Sequence, residues 1–323
     1  AFDYQVKPLL REATIGVMRA AIRENALDVP ATVAVPSAEV RSARRILGSS
    51  GPIRQVMAEI DRVAQSKVSV FVQGENGTGK ELVARVIHER SERADKPFVV
   101  VNCGAIPESL HESELFGSVE GPEDKGPGKI EMSSGGTLFL DDISELSQGA
   151  QVRLLRALQE RSVERVGGHD QVPVNLRLIS ATQHDLARLV DEAKFRHDLF
   201  YRLVIYPIDM PPLRDRIEDL HELFPHFLSR YAAEFDCPVS SYDPEVLRRL
   251  QAYRWAGNVR ELENLAQRMV ISARGARITV ADLPSDIRDP AQSAAGSSST
   301  STSGTVRSIE EAEREAIVEA LRH

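Results

Sequence analysis

The chain is poor in cysteine, with two in 323 residues, Cys103 and Cys237. They share no paired spacing, which excludes a disulfide framework and a thiolate zinc site and points to a reducing compartment. Each is expected as a small buried side chain. Positive charge is not in excess either: 40 Lys and Arg face 48 Asp and Glu, a formal net charge of -8. A body of that sign does not coat nucleic acid, so any such contact is confined to one module. No apolar run reaches the roughly 18 residues that a membrane-spanning helix needs, and the first residues do not form a signal peptide. The expectation is a cytoplasmic protein without a membrane partner. What is present is an ordinary globular mixture, 42% hydrophobic and 27% charged, long enough for two or more units with sizeable cores.

The most informative stretch is Gly74-Glu75-Asn76-Gly77-Thr78-Gly79-Lys80. An apolar run from Val68 to Val72 precedes it, and Leu82, Val83, Val86 and Ile87 follow at helical spacing. Strand, glycine loop and helix in that order make a phosphate cradle. Glycines let backbone N–H groups curl round an anion, the helix start adds partial positive charge, and Lys80 supplies a point charge at the β- and γ-phosphates. A nucleoside triphosphate with Mg2+ is the implied ligand. Glu81 stands where such loops usually carry a metal-binding Ser or Thr.

Further apolar strands end on polar residues: Phe98 to Val101 on Asn102, Thr137 to Leu140 on Asp141-Asp142, and Leu176 to Ala181 on Thr182-Gln183. Strands alternating with helical stretches indicate an α/β fold with a mainly parallel sheet, whose ligands bind at the carboxyl ends of the strands. Asp141 is placed to hold Mg2+, and Asp142 beside it to polarise a water. From about Pro212 only helices are read, at Leu220 to Phe235, Pro244 to Tyr253 and Val259 to Ser272, a small helical lid. Gly167-Gly168 signals a hairpin between Val163 and Val174. His221 and His226 are one residue too far apart for the zinc-protease motif and read as lid surface.

The glycine loop with Glu81, Glu114-Leu115-Phe116-Gly117, Gly135-Gly136-Thr137-Leu138-Phe139-Leu140-Asp141-Asp142, Phe195-Arg196 and Trp255-Ala256-Gly257-Asn258-Val259-Arg260-Glu261-Leu262 follow one another in order. Together they resemble the AAA+ domain of bacterial enhancer-binding proteins of the NtrC type, ATPases that act on sigma-54 RNA polymerase; Glu81 is a habit of that family. The resemblance covers residues 46 to 284. It implies ATP bound by residues 74–81, with Gly74, Glu75, Asn76, Gly77, Thr78, Gly79, Lys80 and Glu81 as the loop, Asp141 on Mg2+ and Asp142 positioning water. It further implies Asn102 as a switch residue, Thr182 with Gln183 as a sensor of the γ-phosphate, and Arg260 as a second sensor. Arg196 and Arg202 match arginine fingers that reach a neighbouring subunit, which makes activity depend on a ring, a hexamer.

Domain limits follow from the same reading. Residues 1–26 resemble the end of a two-component receiver domain, with Tyr4 and Lys7 at matching positions and a sensor histidine kinase implied upstream. Residues 27–45 are a linker, 46–212 the AAA+ α/β subdomain, 213–288 the helical lid and 289–306 a Ser-rich linker. Residues 307–323 resemble the first helix of a Fis-like DNA-binding domain, which implies operator DNA bound by a dimer of the full protein. Two departures shape the functional expectation. The family usually has Glu at the position of Asp142, so weak ATPase activity is expected. Between Gly117 and Gly135 the family's loop, usually GAFTGA, is replaced by a shorter Ser118 to Lys129 segment. The expectation is a transcriptional regulator that acts on RNA polymerase without sigma-54. The alternatives are a non-hydrolysing ATP-binding oligomerisation module and a sigma-54 activator with an atypical loop.

Overall fold

In the first helix, Pro52 falls within the first turn, where its missing N–H is not needed. Ile53, Val56, Ile60 and Val63 then recur on one face and are buried, giving α1, Gly51–Ala64. The computed structural model describes residues 33–34, 45–119, 126–273 and 275–288. The expectations for the receiver end, most of the first linker, the tip of the shortened loop, the Ser-rich linker and the Fis-like helix lie outside these residues.

Five strands form the central sheet: β1 (Val70–Gln73), β2 (Phe98–Asn102), β3 (Thr137–Asp141), β4 (Arg177–Thr182) and β5 (Tyr206–Asp209). Their order is β5-β1-β4-β3-β2, with every pairing parallel. Central strands of such a sheet are covered on both faces; β1 and β3 read as apolar runs, and β4, though it carries Arg177 and Ser180, is buried along its whole length. Successive side chains divide between two cores. Val70, Val72, Phe139 and Ile179 join α1 and α2 (Lys80–Glu89) on one face. Phe71, Leu138, Leu140 and Leu178 join α3 (Gln148–Glu160) and α4 (His197–Leu203) on the other.

The register aligns the strand ends. Gln73 stands beside Thr182 and Asp209, and Asn102 beside Asp141. The chain runs from β1 to the far edge at β2, returns through β3 and β4, and crosses β1 to reach β5, so the crevice above β1 and β4 is a topological switch point.

The lid begins with the turn Leu213–Asp219 and continues as α5 (Leu220–Glu234), α6 (Pro244–Gln251) and α7 (Asn258–Ser272). Trp255, the chain's single tryptophan, is fully buried there, and its indole N–H donates to the Leu250 carbonyl at 2.8 Å. The reading of helices alone is corrected: Ser241–Tyr242 pairs in parallel with Arg277–Ile278 and antiparallel with Val33–Ala34, which lies inside the expected linker. Two-residue strands are too short to show a period of two. The hairpin is present, Ser162–Glu164 against Gln171–Pro173. Cys103 is buried, and burial pushes its thiol up to about 12. Cys237 is only half-buried, contrary to expectation, because it lies in the loop after α5. Residues 283–288 belong to a separate compact unit and contain the short helix Ser285–Arg288. Among the described residues no helix is long and apolar enough to cross a membrane.

Candidate nucleotide site

The loop leaves β1 and enters α2 with Gly77 and Gly79 at φ of 77° and 104°. At Gly77 a side chain is also excluded by contact, since a Cβ would stand 2.3 Å from the Gly257 carbonyl oxygen and 3.0 Å from Arg260 Cβ. The lid rests directly on the loop here. The N–H groups of Val259 and Arg260, at the start of α7, donate to the Gly77 carbonyl at 3.0 and 3.3 Å. Lys80 opens α2 and is buried, its ammonium donating to the carbonyls of Gly74 and Glu75 at 2.9 and 3.2 Å. Burial lowers its pKa, and the charges of Asp141 and Asp142 act against that fall.

Asp141 ends β3 and accepts the Asp142 N–H at 3.1 Å. Burial first, and the Asp142 charge second, raise its pKa, with Lys80 opposing. Asp142 turns the chain at φ 50°, and its Oδ1 is buried without a hydrogen-bond partner. A carboxylate oxygen in that state is costly unless a ligand or water meets it. Two carboxylates beside a phosphate cradle fit Mg2+, which is commonly held by one or two carboxylates together with nucleotide phosphates. Among the described residues no three His, Cys, Asp or Glu side chains gather into a metal cage of their own.

Thr182 ends β4 and is buried, accepting the His184 N–H at 3.0 Å and lying 3.0 Å from the Ser144 hydroxyl. Its carbonyl accepts the Gly74 N–H at 3.2 Å, so the loop starts against it. Asn102 caps the short turn Cys103–Ala105 by accepting the Ala105 N–H at 3.1 Å. A Cβ on Gly104 would lie within 4 Å of the side chains of Asn102, Glu145 and Asp142, which places those three together. Arg260 lies over the loop at Gly77.

Three expected residues stand apart. Glu81 pairs with Arg85 along the outside of α2 at 2.6 Å. Arg196 pairs with Asp198 at 2.7 Å, and Arg202 donates to the Leu158 carbonyl at 3.1 Å. Among the described residues neither arginine is joined to the loop by a hydrogen bond or ion pair.

The lid also bonds to the Glu75 side chain and to backbone carbonyls of the loop. Glu75 accepts two bonds from Arg214, at 2.9 and 2.7 Å, and one from Asn258 at 3.0 Å. These donors, Arg214 first, lower its pKa from the usual 4.5 to about 2. Asn258 also donates to the Asn76 carbonyl at 3.0 Å, and Arg216 to the Thr78 carbonyl at 2.9 Å. Thr78 itself donates its hydroxyl to the Glu75 carbonyl at 2.8 Å. Sequence reading missed Arg214, Arg216 and the side-chain role of Asn258. The arginines' only local signal, alternating charge in Arg214-Asp215-Arg216, looks like any solvated turn.

A family model described as the Sigma-54 interaction domain matches residues 46–209, just over half of the chain. The chain belongs to this family. A second model, an AAA+ ATPase lid domain, matches residues 214–300. The transcriptional regulatory protein ZraR of Salmonella typhimurium is 41% identical over 99% of this chain and 71% of its own length. The regulatory protein AtoC of Escherichia coli is 42% identical over 90% of this chain and 64% of its own length. Among solved structures, NtrX from Brucella abortus in complex with ATP superposes with a TM-score of 0.72 at 34% identity, covering 90% of this chain and 64% of that one. The same protein in complex with ADP gives 0.71 at 35%. This sigma-54 interaction domain therefore sits among NtrC-type regulators, and the chain spans about two-thirds of the length of several of them.

Proposed function

We propose that this chain binds ATP with Mg2+ and hydrolyses it slowly within a ring of its own copies, as the central part of a cytoplasmic two-component transcriptional regulator that works without sigma-54. The observation that carries the reading is the meeting of Lys80, Asp141 and the unpartnered Asp142 Oδ1 beside a glycine loop that the lid closes from above. NtrX, the similar protein, is described in complex with ATP and with ADP.

Position supports the following roles. Lys80 exchanges its loop carbonyls for phosphate oxygens, and Asp141 holds Mg2+, which when bound neutralises phosphate charge. Asp142 orients the attacking water, with Asn102 beside it, while Thr182 and Arg260 contact the nucleotide from β4 and from the lid. Arg196 and Arg202, not bonded to their own loop among the described residues, serve a neighbouring copy and complete its transition-state charge. Asp142 in place of Glu supports slow turnover, because water-positioning geometry is demanding.

Independence from sigma-54 is supported by the loop that starts at Gly117. Gly117–Ser118 pairs antiparallel with Gly126–Pro127, and seven residues, 119–125, join them in the sequence. This connecting segment contains no Phe-Thr pair. The partners are further copies of the chain, RNA polymerase, an upstream sensor histidine kinase and operator DNA bound through a C-terminal domain.

Calorimetry with ATP tests the core of this reading: wild type takes up ATP and Lys80→Ala does not. Uptake unchanged in Lys80→Ala defeats it. Asp142 also favours a second reading, a non-hydrolysing module in which ATP only stabilises oligomers. Phosphate release that rises cooperatively with protein concentration selects the ring enzyme, and release that stays flat selects the module. ATP-dependent open complexes with sigma-54 holoenzyme in run-off transcription select an activator with an atypical loop.

A further inference from the structure

A phosphate loop that carries its own carboxylate poses an electrostatic problem. Glu75 follows the first glycine of the cradle, five residues before Lys80, and an unpaired negative charge there repels a triphosphate. The structure answers with two lid residues. Arg214 presents two nitrogens to the two carboxylate oxygens, at 2.7 and 2.9 Å, in the fork geometry that arginine alone provides. Asn258 adds a bond at 3.0 Å from Nδ2, which also donates to the Asn76 carbonyl. Asn258 is itself fixed: it is fully buried, sits at φ 54°, and its Oδ1 accepts the Leu213 N–H at 2.7 Å. Leu213 adjoins Arg214, so the two donors are set by a single bond between the first turn of the lid and the start of α7.

We infer that Arg214 is a positioning residue for triphosphate binding: it cancels and turns aside the Glu75 charge, so that the cradle accepts the most anionic nucleotide only while the lid is docked. The inference deepens the nucleotide reading above and rests on it. It makes the lid an electrostatic partner of the loop as well as a cover. Arg214 and Glu75 each keep 43% of their side-chain surface exposed, so salt screens the effect.

The test is calorimetric affinity for ATP and for ADP, at low and high salt, with wild type, Arg214→Ala, Arg214→Lys, Glu75→Gln and the double variant Glu75→Gln with Arg214→Ala. Arg214→Ala is expected to weaken ATP by roughly 3- to 10-fold more than ADP, with the gap narrowing at high salt. Arg214→Lys keeps the ATP preference because it keeps the charge. In the double variant the carboxylate is gone and the preference for ATP returns, so the second substitution repairs the first. Losses that simply add, or equal losses for ATP and ADP at both salts, overturn the inference and leave Arg214 a structural brace. Wild type that binds neither nucleotide overturns the nucleotide reading itself, and this inference with it. Trp255 emission identifies any variant whose lid has failed to fold.

Discussion

One methylene separates Asp142 from the glutamate usual at this position in the family, a retraction of about 1.5 Å. Its Oδ1 is buried and unpartnered, and in the proposed water-positioning role the shorter side chain would hold that oxygen back from the water. Misplacement on that scale costs on the order of 100-fold where a water must be oriented. Asp142→Glu is therefore expected to raise phosphate release by about 10-fold or more while ATP affinity, read by calorimetry, stays within about twofold. Equal turnover in the two proteins removes the argument. Glu75 gives a second prediction at this scale. Its pKa is held at about 2 against an ordinary 4.5, so the stability it contributes is fully present above pH 4.5 and is lost as pH falls toward 2. Acid titration followed by near-UV circular dichroism is expected to show the lid loosening across that window, with Glu75→Gln flattening the slope.

At the scale of elements, the contact between the loop and α7 decides how firmly the lid sits. Gly77 meets the Gly257 carbonyl with no room for a Cβ, and its φ is left-handed. Gly77→Ala forces strain or separation, at a cost of about 1–3 kcal/mol. A lowered melting temperature together with weakened ATP binding is the expected result, whereas Gly51→Ala, in open space on α1, leaves both unchanged. The elements also show what a sequence reader can recover. β1, β3 and β4 were legible because both of their faces are covered and apolar residues dominate them, β4 despite Arg177 and Ser180. β5 was not, because Pro207 interrupts it; proline is tolerated there because β5 is an edge strand. The loop residues were legible as a motif, but the side-chain partners of Glu75 were not. Its partners lie 139 and 183 residues away along the chain, and no local pattern announces such a contact.

For the whole molecule, the order β5-β1-β4-β3-β2 gathers Asn102, Asp141, Thr182 and the loop along a single rim, and the lid adds Arg214, Asn258 and Arg260 from above. The rim was foreseeable because each strand ends on a polar residue. The closure was not, because it depends on how two subdomains meet. Arg196 caps α4 and Arg202 lies within it; among the described residues Arg196 is bonded to Asp198 and Arg202 to the Leu158 carbonyl, and Tyr201 and Ile205, close by in sequence, are exposed. If a neighbouring copy uses these arginines, mixing Arg202→Ala protein with Lys80→Ala protein restores phosphate release that neither shows alone. A mixture as inactive as its components rules out a shared site.

Trp255 gives the molecule a built-in reporter. With one indole in the chain, sealed inside the lid and tied to Leu250, ultraviolet emission follows the fate of the helical cap while remaining blind to the sheet. Recorded beside a backbone signal during heating, it separates a cap that detaches first from a protein that melts as one piece. In that comparison the grip between Arg214 and Glu75 becomes a difference between two transition temperatures.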